Sequence, residues 1–393
     1  MIRRFLPGDF SLFAIAIASA AFAQSTLDAT FNNFLSSTFT MGNFERGILE
    51  LPRELPGLLV IFVSALLAFL CPRHLAVTAN ALTGLGMFLI AFFSSSFNTM
   101  LLWLFIGSVG QHLFFPLQSS IAMELAPEGH TGRVLGRLQS WGNMAGLAGS
   151  LVVWGGFRLA GFDFTTSFVI GGCGFFFAAL MIALMSRDQP HPASSRFRLR
   201  REYGLFYWLT VLYGTRKQLF LTFAPWVLVT IFKEPTETIA ILLFIGGVIG
   251  IFFKPWLGHL IDTRGERFVF TVEAILLIVI CLGYAFASDL FIPSVALVLT
   301  AICYVVDQLL VSAGMARATW LKKIALAPED VQQTLTMGVS IDHVFSISIA
   351  LIGGLLWHDL GHSAVFLVGA GIAVVNLISA RFVRVPGHKK TAP

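Results

Sequence analysis

The chain has 393 residues, of which 56% are hydrophobic and only 12% are charged, and it contains 39 phenylalanines. Soluble domains have about a quarter charged residues, so this composition excludes a soluble globular protein and predicts that lipid is the solvent for most of the chain. The net charge of +5 requires no nucleic-acid partner, because cytoplasmic loops facing anionic lipid carry the same excess of Lys and Arg.

Apolar stretches long enough to cross about 30 Å of hydrocarbon recur along the whole sequence. Six such spans are predicted at residues 10–36, 46–70, 76–97, 99–123, 140–160 and 165–186. Six more are predicted at residues 206–232, 237–257, 267–288, 291–316, 333–357 and 363–384. We therefore expect an all-α membrane protein with 12 transmembrane helices in two six-helix bundles related by pseudo-two-fold symmetry.

The first span has a competing interpretation as a secretory signal peptide. Arg3 and Arg4 precede an apolar run that ends in an A-x-A pattern just before Gln24. Cleavage there would leave eleven helices and break the repeat, so we expect the span to be retained. Gln24, Asp28 and Asn32 recur every four residues and form one slowly drifting stripe of this helix, which we expect to face a cavity.

Spans two and four also carry polar residues. Arg53 and Glu54 in span two belong to a run of charges that alternate in sign at helical spacing. Such a run either lines a solute pathway or forms intrahelical ion pairs near the outer membrane surface. His112 lies near the centre of span four, where it is either a proton-coupling group or a hydrogen-bonded structural histidine.

A short repeat follows the fourth span of each half. The residues Leu-Ala-Pro-Glu occur at 125–128 and again at 326–329. In both places a polar run leads from them into a glycine-containing helix. Internal duplication of this kind is typical of transporters, so the echo favours two related halves.

The polar segment 187–205, rich in Arg, Ser and Pro, separates the two halves. It predicts an N-terminal bundle at 1–186, a cytoplasmic linker at 187–205 and a C-terminal bundle at 206–393. Most of the 26 basic residues, Arg317 among them, then lie in cytoplasmic segments, with both termini inside. Short loops and the lack of an N-x-S/T acceptor predict a multi-pass protein of a bacterial inner (plasma) membrane.

Span seven carries Arg216 and Lys217 side by side, far from either end. A charge at the bilayer centre costs about 2.5–3.5 kcal/mol, so such residues must face water, a counter-ion or a ligand. Neighbours on a helix point about 100° apart, and we expect one of the two to pair with a carboxylate while the other meets the substrate. Tyr213 on the same span either stacks on a ring-bearing part of the substrate or serves in packing.

The expected counter-charges lie in spans ten and eleven. Span ten has Asp307 and Gln308 near mid-membrane, and span eleven has Asp342 and His343. A partly buried carboxylate can load and release a proton as a cavity changes sides. We therefore expect Asp28, Asp307 or Asp342 to carry a coupling proton, with a purely structural pairing of all the charges as the alternative.

The loop between spans eight and nine identifies a family resemblance. Its matching residues are Gly258, Asp262, Gly265 and Arg267. They resemble the signature G-x-x-x-D-(R/K)-x-G-(R/K)-(R/K) of the major facilitator superfamily. Thr263 and Glu266 depart from this signature, and Arg264 supplies a positive charge one position late. The equivalent loop after span two, at residues 71–74, lacks the Gly and the Asp.

This loop has a physical interpretation as a cytoplasmic gate. Gly258 allows two helix ends to approach closely, and Asp262 is expected to cap the start of span nine. Arg264 and Arg267 are expected to pair with nearby carboxylates or helix C-termini, and Gly265 belongs to the same turn. The alternative is a tight turn with solvated charges.

The resemblance implies a secondary active transporter that works by alternating access. The cations at mid-membrane favour a small anionic or zwitterionic organic solute, and the carboxylates within the spans favour coupling to protons. A multidrug exporter or lipid flippase of the same fold is the alternative. The motifs G-x-S-x-G and H-E-x-x-H are absent, so we expect no enzyme, and we expect neither cofactor nor metal. The expected partners are the solute, protons and membrane lipid, with the protein as a monomer.

Overall fold

The structure is a computed structural model that describes residues 7–39, 43–67, 70–186, 200–234 and 236–384. This part of the chain is helical and contains no β-strand. The helices of the N-terminal half are α1 (Pro7–Thr38), α2 (Asn43–Leu66), α3 (Pro72–Phe93), α4 (Phe97–Leu125), α5 (Thr131–Leu159) and α6 (Phe164–Ala183). The helices of the C-terminal half are α7 (Gly204–Thr230), α8 (Thr236–Arg264), α9 (Glu266–Leu290), α10 (Pro293–Leu310), α11 (Gly314–Ile324), α12 (Pro328–Leu360) and α13 (His362–Ala380).

Helices α10 and α11 form one membrane-length segment, because only the 3₁₀ turn Val311–Ala313 separates them. The described chain therefore contains 12 such segments, and the predicted all-α architecture is confirmed. Nine of the segments are long and apolar enough to cross a membrane by length and composition, and the other three are α2, α5 and α7. Several helices extend beyond the predicted spans, because hydropathy locates the apolar stretch and not the polar turns that continue the helix.

Contacts divide the chain into two compact units. The first comprises residues 1–127, 137–198 and 332–340. Within it α3 packs closely against α4, where a Cβ on Gly86 would lie 2.5 Å from the Cα of Gly107. Small residues permit such approach where lipid supplies no hydrophobic force between helices. Phe34 forms an edge contact with Phe168 at 5.1 Å in the aromatic core of this unit.

The second unit comprises residues 128–136, 199–331 and 341–393. The start of α5 thus belongs to this unit. Its apolar core surrounds Phe220 on α7, Tyr284 on α9 and Phe366 on α13. The rings of Tyr284 and Phe366 stack at 4.5 Å. This packing fixes the rotation of α7, and with it the directions of the charged side chains that follow.

In each unit an ion pair joins the start of the third span to the end of the fourth. The basic residue is on the third span in the first unit and on the fourth span in the second. In the first unit Arg73 of α3 lies 4.0 Å from Glu124 of α4, and 3.5 Å from Asp9 of α1. In the second unit Glu266 of α9 lies 2.7 Å from Lys323 of α11. Corresponding helix ends therefore hold the same contact with the charges exchanged.

Candidate functional site

The centre of the second unit contains a buried ion pair. Arg216 of α7 is 4% exposed and Asp307 of α10 is 2% exposed. The Nη2 atom of Arg216 donates to Oδ1 of Asp307 at 2.5 Å, and the guanidinium also lies 5.6 Å from the ring centre of Phe220. Burial of both partners makes each dependent on the other, since removing one leaves an uncompensated charge.

A second ion pair lies beside the first and is more open. The Nζ atom of Lys217 donates to Oδ2 of Asp342 on α12 at 2.5 Å, and the two side chains are 29% and 13% exposed. Gly214, one turn earlier on α7, leaves the space for this carboxylate, because a Cβ there would overlap Oδ1 of Asp342. The Oδ1 atom has no hydrogen-bond partner among the described residues.

Both adjacent cations are paired in this structure, whereas we expected one to pair with a carboxylate and the other to meet the substrate; the contact with substrate stays a prediction. Asp307 and Asp342, the two expected counter-charges, take one cation each. Adjacent residues point about 100° apart, and here the two directions meet different helices, α10 and α12. The Arg216–Asp307 pair is buried, whereas the Lys217 side chain of the second pair is partly exposed.

Sequence reasoning missed two charged residues of this site. Glu273 of α9 is 5% exposed, and Arg317 of α11 places its guanidinium 3.5 Å from the ring centre of Tyr213. Arg317, which we assigned to a cytoplasmic segment, lies on α11, which continues the tenth helical segment beyond residue 316. Glu273 carried a detectable signal, as the one acidic residue in a long apolar stretch of α9.

A small cavity joins these residues. Its polar lining consists of Tyr213, Arg216, Glu273, Arg317 and Asn376, and apolar side chains of α7, α9 and α13 complete the wall. The cavity measures about 10 Å³, which is room for about one water molecule. The Oη atom of Tyr213 donates outside the cavity to the carbonyl of Val311 at 3.0 Å.

Two further predicted residues do not line this cavity. Gln308 follows Asp307 on α10 and is half-buried, with its Cβ near Gly246 of α8. His343 follows Asp342 on α12 and is 8% exposed. Each of these residues directly follows an aspartate on its helix, so its side chain points about 100° away from that of the aspartate.

In the first unit, the predicted stripe on α1 is partly described. Gln24 donates from Nε2 to Oδ1 of Asp28 at 2.9 Å, and Asp28 is exposed. The side chain of Asn32 lies outside the described residues. The i, i+4 spacing therefore produces a contact between the first two members of the stripe.

The other candidates of the first unit lie on α2 and α4. Arg53 and Glu54 lie 4.0 Å apart with side chains 53% and 40% exposed. The hydroxyl of Ser108 donates to the carbonyl of Arg53 at 2.6 Å and lies 3.1 Å from Nδ1 of His112. His112 is thus a hydrogen-bonded histidine, 6% exposed, as one of its two interpretations expected.

The family-like loop forms a different contact from the one expected. Asp262 does not cap span nine; its carboxylate accepts hydrogen bonds from the backbone N–H groups of Gly132 at 2.8 Å and Arg133 at 2.7 Å, at the start of α5. The positive end of the α5 dipole and its unpaired N–H groups favour an anion there. Gly258 permits this approach, because the backbones of Gly258 and Gly132 leave no room for a side chain at either position.

The two arginines of the loop do not form the expected pairs. Arg264 is exposed and lies 6.0 Å from the ring centre of Phe268. Arg267 is also exposed, and within the described ranges no carboxylate forms an ion pair with either arginine. Gly265 adopts φ 84° between α8 and α9, a conformation that favours glycine.

The end of the linker is held by a separate contact in the second unit. The Oη atom of Tyr203 donates to Oδ2 of Asp330 at 2.6 Å, and it accepts from the N–H of Leu326 at 2.9 Å. Arg200 lies 3.3 Å from the same aspartate. Burial and the bond to Asp330 raise the pKa of Tyr203 to about 12, so the phenol remains a neutral donor.

Comparisons with known proteins place this geometry in context. The sequence profile of the Major Facilitator Superfamily matches residues 8–327. A crystal structure of FucP, a transporter of that superfamily, in the outward conformation has a TM-score of 0.76 and 16% identity, and covers 95% of this chain and 98% of that one. No curated protein sequence matches the chain.

Two other solved structures show the same likeness of fold. A variant of the Escherichia coli fucose:proton symporter FucP has a TM-score of 0.76 and 15% identity. A bacterial homologue of the iron transporter ferroportin, in an outward-facing state, has a TM-score of 0.74 and 14% identity. Each alignment covers 95% of this chain and 98% of the chain in the solved structure.

Proposed function

The chain belongs to the major facilitator superfamily of membrane transporters, and we propose that it moves a small organic solute bearing an acidic group, by alternating access coupled to protons. The solute is anionic or zwitterionic. The protein works as a monomer in a bacterial inner membrane with both termini in the cytoplasm, as the distribution of Lys and Arg predicts. It is a multi-pass membrane protein with no catalytic role.

The observation that carries this proposal is the contrast between the two ion pairs of the second unit. Arg216 and Asp307 are both buried, and separating them costs about 3–5 kcal/mol. The Lys217 side chain is 29% exposed and that of Asp342 is 13% exposed, so this pair is less desolvated and costs less to separate than the buried pair. An acidic group can therefore replace Asp342 at Lys217 at lower cost than it could replace Asp307 at Arg216.

Charge balance supports proton coupling. The cations of the site are Arg216, Lys217 and Arg317. The carboxylates are Glu273, Asp307 and Asp342. Their charges sum to zero, so an acidic solute adds an uncompensated negative charge inside the membrane. A proton taken up by one carboxylate removes that charge, whereas a zwitterion supplies its own counter-charge.

A proton carrier in the first unit is the second option. Asp28 is exposed and accepts a hydrogen bond from Gln24. It lies on the same helix as the expected polar stripe, and a carboxylate on the wall of an aqueous cavity can exchange protons with either side. Replacing Asp28 by Asn is therefore included in the transport assays.

The contact of Asp262 with the start of α5 supports a gating role. A carboxylate that accepts two backbone N–H groups holds the end of α8 against the end of α5. We infer that this clasp is made and broken during the transport cycle. Arg133 adds a contact from Nη2 to Nδ1 of His259 at 2.8 Å.

The test is a thermal-shift screen of the purified protein against carboxylates, phosphates, amino acids, sugars and lipophilic drugs. A ligand at 100 times its Kd raises the free energy of unfolding by about 2.7 kcal/mol. We expect stabilisation by one acidic class, stronger at about pH 5.5 than at about pH 7.5 if a proton binds with it. Lys217→Ala removes this stabilisation, and Gln218→Ala, its half-buried neighbour on α7, retains it.

Two outcomes of these experiments would contradict the proposal. Stabilisation by large lipophilic compounds alone, equal in Lys217→Ala and wild type, indicates a multidrug exporter or lipid flippase. Binding without uptake into liposomes indicates a sensor with a transporter fold. Uptake of the acidic ligand into liposomes, accompanied by proton entry, would support proton-coupled transport.

A further inference from the structure

Glu273 differs from the other carboxylates of the second unit in lacking a direct cationic partner. Asp307 and Asp342 each accept from a cation at 2.5 Å. Glu273 is 5% exposed, yet within the described ranges no Lys, Arg or His nitrogen lies within ion-pair distance of it. A buried carboxylate without a bonded partner is the one for which the ionised form costs most.

The cavity beside Glu273 offers a site for one water molecule. The Nε atom of Arg317 and the Nε and Nη1 atoms of Arg216 have no hydrogen-bond partner among the described residues. Both arginines line the cavity with Glu273 and Asn376. A buried water needs two to four polar partners, and these groups supply donors to its oxygen and a carboxylate for its protons. The site is therefore built to bring a water molecule to Glu273.

The charged groups around Glu273 come from every side of α9. Helix α7 contributes Tyr213 and Arg216, α10 contributes Asp307, and α11 contributes Arg317. Helix α13 contributes the neutral Asn376, and α8 contributes no residue to the cavity lining. Arg317 interacts electrostatically with both Glu273 and Asp342, so its charge acts on the cavity and on the Lys217–Asp342 pair.

We propose that Glu273 takes up the coupling proton from a water molecule held in the cavity between Arg216 and Arg317. The inference rests on the proposed function, which requires a proton, and assigns that proton to one residue. The transfer forms an O–H bond on the Glu273 carboxylate and breaks one O–H bond of the cavity water, which takes a replacement proton from the solvent in the same transfer. The proton returns to water when the site is exposed on the other side.

Protonation of Glu273 links the proton to the solute through charge. The balanced set of three cations and three carboxylates acquires a net charge of +1. Arg317 then loses one of the two carboxylates with which it interacts, and its remaining attraction to Asp342 competes with that of Lys217. Lys217 is thereby released to bind the acidic group of the solute, whose charge restores neutrality. Proton first and solute second is the order that this arrangement favours.

The experiment detects protonation of the carboxylate in the absence of any solute. Infrared difference spectra of the purified, full-length protein are recorded as the pH is lowered from about 9 to about 5, a window in which an exposed glutamate with a pKa of about 4.3 stays ionised. We expect an absorption band of a protonated carboxylic acid in the wild type. Glu273→Gln abolishes the band, and Glu266→Gln retains it, because Glu266 is buried on the same helix but bonded to Lys323.

A second variant protects the test against misfolding. Glu273→Asp keeps an acid and retains the band at a shifted frequency or midpoint, even if Glu273→Gln is recovered in poor yield. A band that survives in Glu273→Gln, or disappears only in Asp307→Asn, Asp342→Asn or Asp28→Asn, overturns the assignment to Glu273 and leaves proton coupling standing. The absence of any band in the wild type also overturns the inference. The thermal screen tests the proposed binding of an acidic solute independently of this result.

Discussion

Gly214 and Asp342 are in direct contact, with the aspartate Oδ1 in the space that a side chain on residue 214 would fill. Lys217 lies three residues further along α7, on nearly the same face, and binds the other carboxylate oxygen. One helix thus presents both a notch and an ammonium group to the same carboxylate. The pair is oriented by backbone shape as well as by charge, which keeps it formed although it is partly exposed.

Gly214→Ala is expected to displace Asp342 from this notch. The added methyl group overlaps the carboxylate, and overpacking of this kind costs about 1–3 kcal/mol. Binding of an acidic solute should tighten at least about tenfold, equivalent to about 1.4 kcal/mol, because the displaced Asp342 no longer competes with the solute for Lys217. Thermal stability and ligand-induced shifts measure both effects.

The matched control for this substitution is Gly204→Ala, at the first residue of the same helix, where a Cβ meets no atom within 4 Å. It should leave stability and binding at wild-type values. Equal binding by Gly214→Ala and Gly204→Ala would show that the notch does not govern the Lys217 pair.

Removal of one partner of the buried pair is expected to destabilise the protein strongly. Asp307→Asn or Arg216→Ala leaves a buried charge without compensation, at a cost of about 3–5 kcal/mol. Lys217→Ala should cost less than either of these changes, since the Lys217 side chain is 29% exposed. Denaturation in detergent, followed by tryptophan fluorescence, compares the three variants.

The double variant Arg216→Met with Asp307→Leu tests the origin of that cost. Because both charges are removed together, its stability should recover toward that of the wild type. If the double variant is as unstable as the sum of Arg216→Met and Asp307→Leu measured singly, the loss comes from packing and the ion pair is not the cause.

The clasp at the cytoplasmic loop should respond to Asp262→Ala. Loss of an anionic helix cap costs about 0.5–2 kcal/mol, and the Gly132 and Arg133 amides lose their acceptor. We expect faster hydrogen exchange at these two amides and altered transport rates. Asp163→Ala removes the equivalent cap of α6, where the carboxylate accepts from the Thr166 N–H at 2.7 Å. It should lower stability without changing exchange at the start of α5.

The cap at Asp163 also predicts a pH dependence. Hydrogen bonds from the Thr166 hydroxyl and backbone N–H lower the pKa of Asp163 below its usual value of 3.8. A lowered pKa in the folded state contributes stability above the unfolded-state pKa, and that contribution is lost as the pH falls through the folded-state value. The difference in melting temperature between wild type and Asp163→Asn should shrink as the pH falls below about 4.

A difference that stays constant down to the lowest accessible pH would contradict this account of the cap. Asp289 provides a control at the end of α9, where no helix cap depends on its carboxylate. Asp289→Asn should follow the wild-type stability profile across the same pH range.

Much of the fold followed from local sequence. A segment in lipid must satisfy its own backbone hydrogen bonds, so apolar stretches of sufficient length become helices whatever surrounds them. This is why 12 membrane-length segments were predictable. The loop signature at 258–267 indicated the family in the same way, because it is a contiguous pattern. The lengths of α5 and α12 were underestimated, since polar turns at their starts carry no apolar signal.

The site depended on information that local sequence does not contain. Arg216 and Asp307 are 91 residues apart, and Gly132 and Asp262 are 130 residues apart. The rotation and close packing of the helices decide which carboxylate pairs with which cation. Hydropathy predicts neither the rotation nor the packing. Glu273 and Arg317 were visible as isolated charges, but only the tertiary structure brings them to one cavity. The sequence by itself determined the membrane-spanning helices and the charges they must shelter; the packing of those helices decided the pairing of those charges.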